Sequence, residues 1–175
     1  MGNTEKIYVA FDAVNDMANY NKLMAFRKQD GSVFDFYNGA RFAKELDKVS
    51  DDILKASIQE NMEEADIILV LLCKTVKSMR RFVKWQLEYA VSKNKPIIVM
   101  NNSRIRGMDM DITPTILKNH LSLFIPYEEK ALEVACAYWP KSFKEHRANG
   151  DKTPYRYDYE VYQQIYNENE EESND

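Results

Sequence analysis

The chain has 175 residues, 45% apolar and 30% charged, which suits one globular domain with a substantial core. It has no run of about eighteen apolar residues and no charged-then-apolar leader, so neither a membrane span nor a signal peptide is expected. The net charge of −4 is unevenly spread: from Asp158 onward there are seven acidic residues and no Lys or Arg, and the mild positive excess elsewhere forms no basic stripe for nucleic acid.

In chain order, "KIYVAFD" (Lys6–Asp12) is an apolar, β-rich run suited to a buried first strand. A helix near Met17–Phe26 follows, then a turn at "KQDG". "SVFDFY" alternates Val33, Asp35 and Tyr37 against Phe34 and Phe36, as a peripheral second strand would, and "NGARFAKEL" is irregular. Ser50 with Asp51 and Asp52 makes a good helix start, and Leu54, Ile58 and Met62 recur along that helix. "ADIILVLLC" (Ala65–Cys73) is the most apolar run and fits a central parallel strand covered on both faces. The helix "RRFVKWQLEYAVSKN" and the buried strand "KPIIVMN" come next. A short helix at about Ile116–His120, a last strand in "LSLFIPY" and a closing helix ending near Pro140 complete the order.

Five strands alternating with helices predict an α/β sandwich around a five-stranded parallel sheet, flavodoxin-like in size. Residues 1–150 form this domain. Residues 151–175 read as a Tyr-rich and then acidic tail whose end is disordered, so removing 158–175 is expected to leave folding intact unless the tyrosines dock the segment Pro154–Tyr166 as a helix. Cys73 and Cys136 sit in apolar segments and read as buried thiols of a reducing cytoplasm. In a doubly wound sheet the ligand crevice opens where the strand order reverses, between strands one and three. That places Phe11–Asp16 and Cys73–Ser78 at its rim.

Several chemistries fail on residue type. The five glycines form neither a dinucleotide fingerprint nor a phosphate-binding P-loop. No G-x-S-x-G elbow is present, and strand three ends without the aspartate of a receiver domain. His120 and His146 have no ligand-type neighbours at short spacing, so no metal is expected.

The helix after strand three carries the functional argument. Val83, Leu87, Ala90 and Val91 form its sheet-facing stripe, and Phe82, Gln86 and Tyr89 the adjoining one. Glu88 points away toward solvent, with Lys84 as its partner. The block "RRFVKWQLEYA" (80–90) with "KPIIVMN" (95–101), the strand "VAFD" and the strand "FDFYN" resemble the TIR-like domain of the bacterial Thoeris anti-phage system, the ThsB type, over about residues 5–140.

The resemblance implies a flavodoxin-like sandwich that takes NAD as a substrate, not a redox cofactor. Such a domain cleaves the nicotinamide–ribose bond and releases a cyclic or conjugated ADP-ribose signal for a partner effector. A phage-derived activator and self-association are the other partners it implies, with no nucleic acid or membrane. The family helix reads W-x-x-x-E with a catalytic glutamate. Here Phe82 stands at the Trp position and Gln86 at the Glu position.

Phe11, Asp12, Asp35, Tyr37, Asn38 and Phe82 are the substrate-binding candidates, with Gln86 meeting the ribose. An amide cannot offset the positive charge that builds on the ribose, a loss worth ~10²–10³ in rate, so Gln86→Glu is expected to raise cleavage. Gln86 equally leaves open a second reading, a non-catalytic interaction or assembly module.

Overall fold

A computed structural model of the protein describes residues 5–26, 34–37, 48–74 and 81–171. The elements run β1 (Lys6–Ala10), α1 (Met17–Phe26), β2 (Asp35–Tyr37), α2 (Asp51–Glu63), β3 (Ile67–Leu72) and α3 (Arg81–Ser92). They continue with β4 (Ile97–Asn101), α4 (Thr115–Lys118), β5 (Leu123–Pro126), α5 (Glu129–Ala148), β6 (Tyr155–Arg156) and α6 (Tyr159–Glu171). The turn at 28–31, the irregular stretch at 38–46 and Asn38 lie outside the described residues. No helix among the described residues is long and apolar enough to cross a membrane.

All six strands are parallel, in the order β2-β1-β3-β4-β5-β6, which fits a flavodoxin-like fold. Every residue of β3 is buried, because helices cover the sheet on both sides. Ile67, Leu69 and Leu71 face α1 and α5, whereas Ile68, Val70 and Leu72 face α2 and α3. This alternation is the period-two geometry of a strand inside a three-layer sandwich. Leu54, Ile58 and Met62 of α2 and Val83, Leu87 and Ala90 of α3 fill the second layer, as their spacing predicts. The ends of α2 and α3 are tied by the Tyr89 hydroxyl, which donates to the Glu63 carboxylate, and by Lys95 Nζ, which donates to the carbonyls of Glu63 and Ala65 at 2.7 and 2.8 Å. Burial, reinforced by the Glu63 bond, pushes the Tyr89 hydroxyl up to about 12.

The sheet has six strands, not the five expected. The sixth is only two exposed residues long, held by Tyr155 N–H donating to Ser122 C=O at 2.8 Å, which is too short a pattern to read from sequence. Its connection is also unusual. Helices α1 and α5 cover the same face, yet β1 to β2 steps one way along the sheet and β5 to β6 steps the other. The two crossovers therefore have opposite hands. Because β3 to β4 over the other face matches β1 to β2, the β5–α5–β6 crossover is the left-handed exception to a rule obeyed in about 98% of cases.

Helix α5 passes through Pro140 instead of ending there. Its buried stripe continues across the proline, from Leu132, Ala135 and Cys136 to Trp139 and Phe143, and that burial outweighs the lost backbone bond of roughly 3 kcal/mol. Beyond it, Tyr162 and Ile165 of α6 enter the same core at 1% and 7% exposure. The Arg106 guanidinium, from the segment after β4, lies 4.5 Å from the Tyr162 ring centroid. Removing 158–175 therefore strips two core residues, contrary to the silent truncation expected from the acidic composition.

Two stability measurements check this packing. Leu69→Ala or Leu71→Ala should each lose ~2–5 kcal/mol in denaturant unfolding, since both are buried in the central strand. Truncation before Asp158 should lower the thermal midpoint by several degrees, and a midpoint equal to the parent's would show that α6 adds nothing to the core.

Candidate functional site

The change of covered face between α1 and α2 leaves a cleft above the carboxyl ends of β1, β3 and β4. It encloses about 370 Å³ and is lined by Asn15 and Asp16 after β1, Cys73 and Lys74 after β3, and Asn102, Ser103, Asp109 and Ile112 after β4. That volume lies within the range of roughly 300–1,000 Å³ usual for ligand sites, and the position is the topological switch point.

The walls after β1 and β4 are each held by a polar turn. Asp12, fully buried, ends β1 and organises the first: its Oδ1 accepts from the N–H groups of Val14 and Asn15 at 3.2 and 3.3 Å, and its Oδ2 from Asn15 Nδ2 at 2.8 Å. Asn101, also buried, ends β4 and donates through Nδ2 to the Ile105 and Gly107 carbonyls at 3.0 and 2.5 Å. The Asp109 carboxylate accepts from Ser103 Oγ at 3.0 Å and Asp111 N–H at 3.1 Å. Both acids are thus engaged by their own loops.

Asp16 differs. It is 6% exposed, its carboxyl accepts from Asn19 Nδ2 and from the Cys73 thiol, and Oδ2 is sealed from solvent without a donor of its own. Burial raises its pKa above the ordinary 3.8. The Cys73 thiol and the Asn19 amide pull it back down, and the nearby Asp12 adds to the rise. Its charge in turn adds to the burial that pushes the Tyr127 hydroxyl up to about 12.

Of the sequence-based site residues that the structure describes, Asp12 anchors a turn beside the cleft and the others lie away from its lining. Phe11 is 2% exposed and stacks on Tyr20 of α1 with centroids 4.5 Å apart, so it packs the α1 layer. Phe82 is buried against the α2–α3 layer. Asp35 pairs in register with Lys6, at the start of β1, so Asp12 lies a strand's length away, roughly 20 Å at ~3.3 Å per residue. Tyr37, on the edge strand β2, pairs with Tyr8 at the middle of β1.

Gln86 is 6% exposed and both ends of its amide are satisfied: Oε1 accepts from the Tyr8 hydroxyl at 3.1 Å and Nε2 donates to the Phe82 carbonyl at 3.0 Å. It joins α3 to β1. On the opposite face of that helix Lys84 and Glu88 pair at 3.6 Å. Of the rim segments read from sequence, Phe11–Asp16 and Cys73–Ser78, Asn15, Asp16, Cys73 and Lys74 line the cleft and residues 75–78 lie outside the described residues, while Asp16 was not among the residues singled out. Its only signal was an acid at the start of α1, which ordinarily reads as a helix cap.

A protein-family model described as the TIR-like domain of the Thoeris protein ThsB matches residues 8–105, more than half of the chain. The chain belongs to the ThsB TIR-like family. None of the curated proteins compared with it matches. The ThsB match spans β1 to β4 and so contains Asp12, Asp16, Cys73 and Gln86, while α5, β6 and α6 lie beyond it. Membership of this family fits a defence-associated TIR protein.

Two substitutions test the electrostatics of this ThsB-type domain. Gln86→Glu would keep the acceptor for Tyr8 but lose the donor to Phe82 and set a buried charge against that carbonyl, at a cost of ~1–3 kcal/mol at neutral pH. The loss should fade on acidification, because a carboxyl with raised pKa is tolerated once protonated. Asp16→Asn keeps the acceptor for Asn19. Since the Asp16 pKa is raised by folding, the parent loses stability as pH climbs through that value. The Asn variant should melt at or above the parent at neutral pH and converge with it in acid; a lower midpoint that persists at every pH would contradict the assignment of Asp16 as a strained carboxylate.

Proposed function

We propose that the protein is a Thoeris-type TIR signalling protein that binds NAD in the cleft above β1, β3 and β4 and cleaves its nicotinamide–ribose bond. The observation that carries this reading is a ligand-sized cleft at the switch point of a ThsB TIR-like domain, with a buried carboxyl on its wall. The C–N bond breaks with its electron pair moving to nicotinamide nitrogen, which neutralises the pyridinium. The ribose carbon left electron-poor is captured by water or by a hydroxyl or amine of the ligand, whose proton is released to solvent. The ADP-ribose product, cyclic or conjugated, is the signal for an effector protein in the cytoplasm.

One observation favours a second reading. The closed Tyr8–Gln86–Phe82 arrangement leaves no charge at the position of the family's catalytic glutamate, as expected of a module that binds nucleotide or partners without turnover.

An assay of NAD consumption by the purified protein, with and without extract from phage-infected cells, separates the two. The first reading expects nicotinamide release that the extract increases. Saturable NAD binding with no release under either condition would leave the non-catalytic module standing.

A further inference from the structure

We infer that Asp16 is the acidic group of the cleft, the carboxyl that receives the ribose hydroxyls of a nucleotide bound there. The inference rests on the NAD reading above and assigns it a residue.

Among the described residues two carboxyls, Asp16 and Asp109, line the cleft and a third, Asp12, anchors the turn beside it; of these three, Asp16 is the one with an unpartnered oxygen. Asp12 accepts three hydrogen bonds within its own turn. Asp109 has both oxygens occupied by Ser103 and Asp111. Asp16 lines the cleft with Oδ2 unpartnered. An unsatisfied buried acceptor costs about 1–3 kcal/mol, and a turn of the Asp16 side chain that brings the sealed oxygen to the cleft, where a ligand hydroxyl donates to it, would recover that loss.

The carboxyl also declines its local alternative. Asp16 immediately precedes α1, and its carbonyl already accepts the Tyr20 N–H at 3.2 Å. An aspartate there commonly turns back onto the N–H groups of the first turn, but this side chain bonds the Asn19 amide instead. The Cys73 thiol, just past the end of β3, hydrogen-bonds the carboxyl, and Tyr127 and Lys22 are near enough to interact with its charge. A carboxylate on the wall of the cleft is suited to take the 2′- and 3′-hydroxyls and to offset positive charge growing on the sugar ring. Gln86 can do neither, since its amide is neutral and both its ends are engaged.

The test uses the full chain with Asp16→Asn, and Glu88→Gln as the control, an exposed pair partner of Lys84. ADP-ribose binding is measured by calorimetry and NAD cleavage by nicotinamide release in the presence of infected-cell extract. The expected result is loss of cleavage by ~10²–10³ in Asp16→Asn with weakened ADP-ribose binding, and parent-like behaviour of Glu88→Gln. Should the Asn variant misfold, the same question is put to the parent: the ¹³C resonance of the Asp16 carboxyl should move on adding ADP-ribose. Parent-like binding and cleavage by folded Asp16→Asn, or an Asp16 resonance unmoved by saturating ADP-ribose, would overturn the assignment and leave the NAD reading intact. A parent that neither binds ADP-ribose nor consumes NAD would remove both.

Discussion

The reversal of strand order between β1 and β3 is the constraint on which the site depends. A strand as apolar as β3 must be covered on both faces, and the crossovers from β1 to β5, which share one hand, cover both by changing direction once. That change separates α1 from α2 and α3 and, among the described residues, leaves a cleft at the carboxyl ends of β1 and β3. The cleft is what the topology leaves open, and polar turns at Asp12 and Asn101 keep it from collapsing.

Within that frame the Tyr8–Gln86 bond and the Asp16 carboxyl divide the tasks that one glutamate would otherwise combine. Gln86 satisfies a tyrosine hydroxyl that the sheet has buried and ties α3 to β1. Asp16 places a carboxyl on the wall of the cleft, before α1 rather than on α3. A carboxylate at position 86 in this packing would face the Phe82 carbonyl, so substitution to Gln relieves a buried charge while giving up its electrostatics. The C-terminal segment adds a second layer of support: α6 delivers Tyr162 and Ile165 to the core, and Arg106, from the segment after β4, rests on Tyr162.

Most of the sheet was legible because burial patterns are written in period two and period four. Ile67–Leu72 read as a doubly covered strand, and Leu54, Ile58 and Met62 as one helix face, since those patterns follow from geometry alone. The elements that escaped lack such patterns. Two exposed residues, Tyr155 and Arg156, cannot announce a strand, and Pro140 signalled a helix end that the burial of Trp139 and Phe143 overrides. In the site, the rim was readable from topology, but the choice among its acids was not. Asp12 looked the better candidate at the end of a strand; only the hydrogen bonds show that it is spent on its own turn and that Asp16 is not.

The central claim is that ligand chemistry resides at Asp16 in the cleft while Gln86 is a structural tie. The most direct measurement is a crystal structure with a non-hydrolysable NAD analogue bound. The ribose hydroxyls should lie within hydrogen-bond distance of Asp16 Oδ2, with the Tyr8–Gln86 bond intact. A ribose seated on the Gln86 amide, with the Tyr8 bond broken and Asp16 untouched, would contradict it.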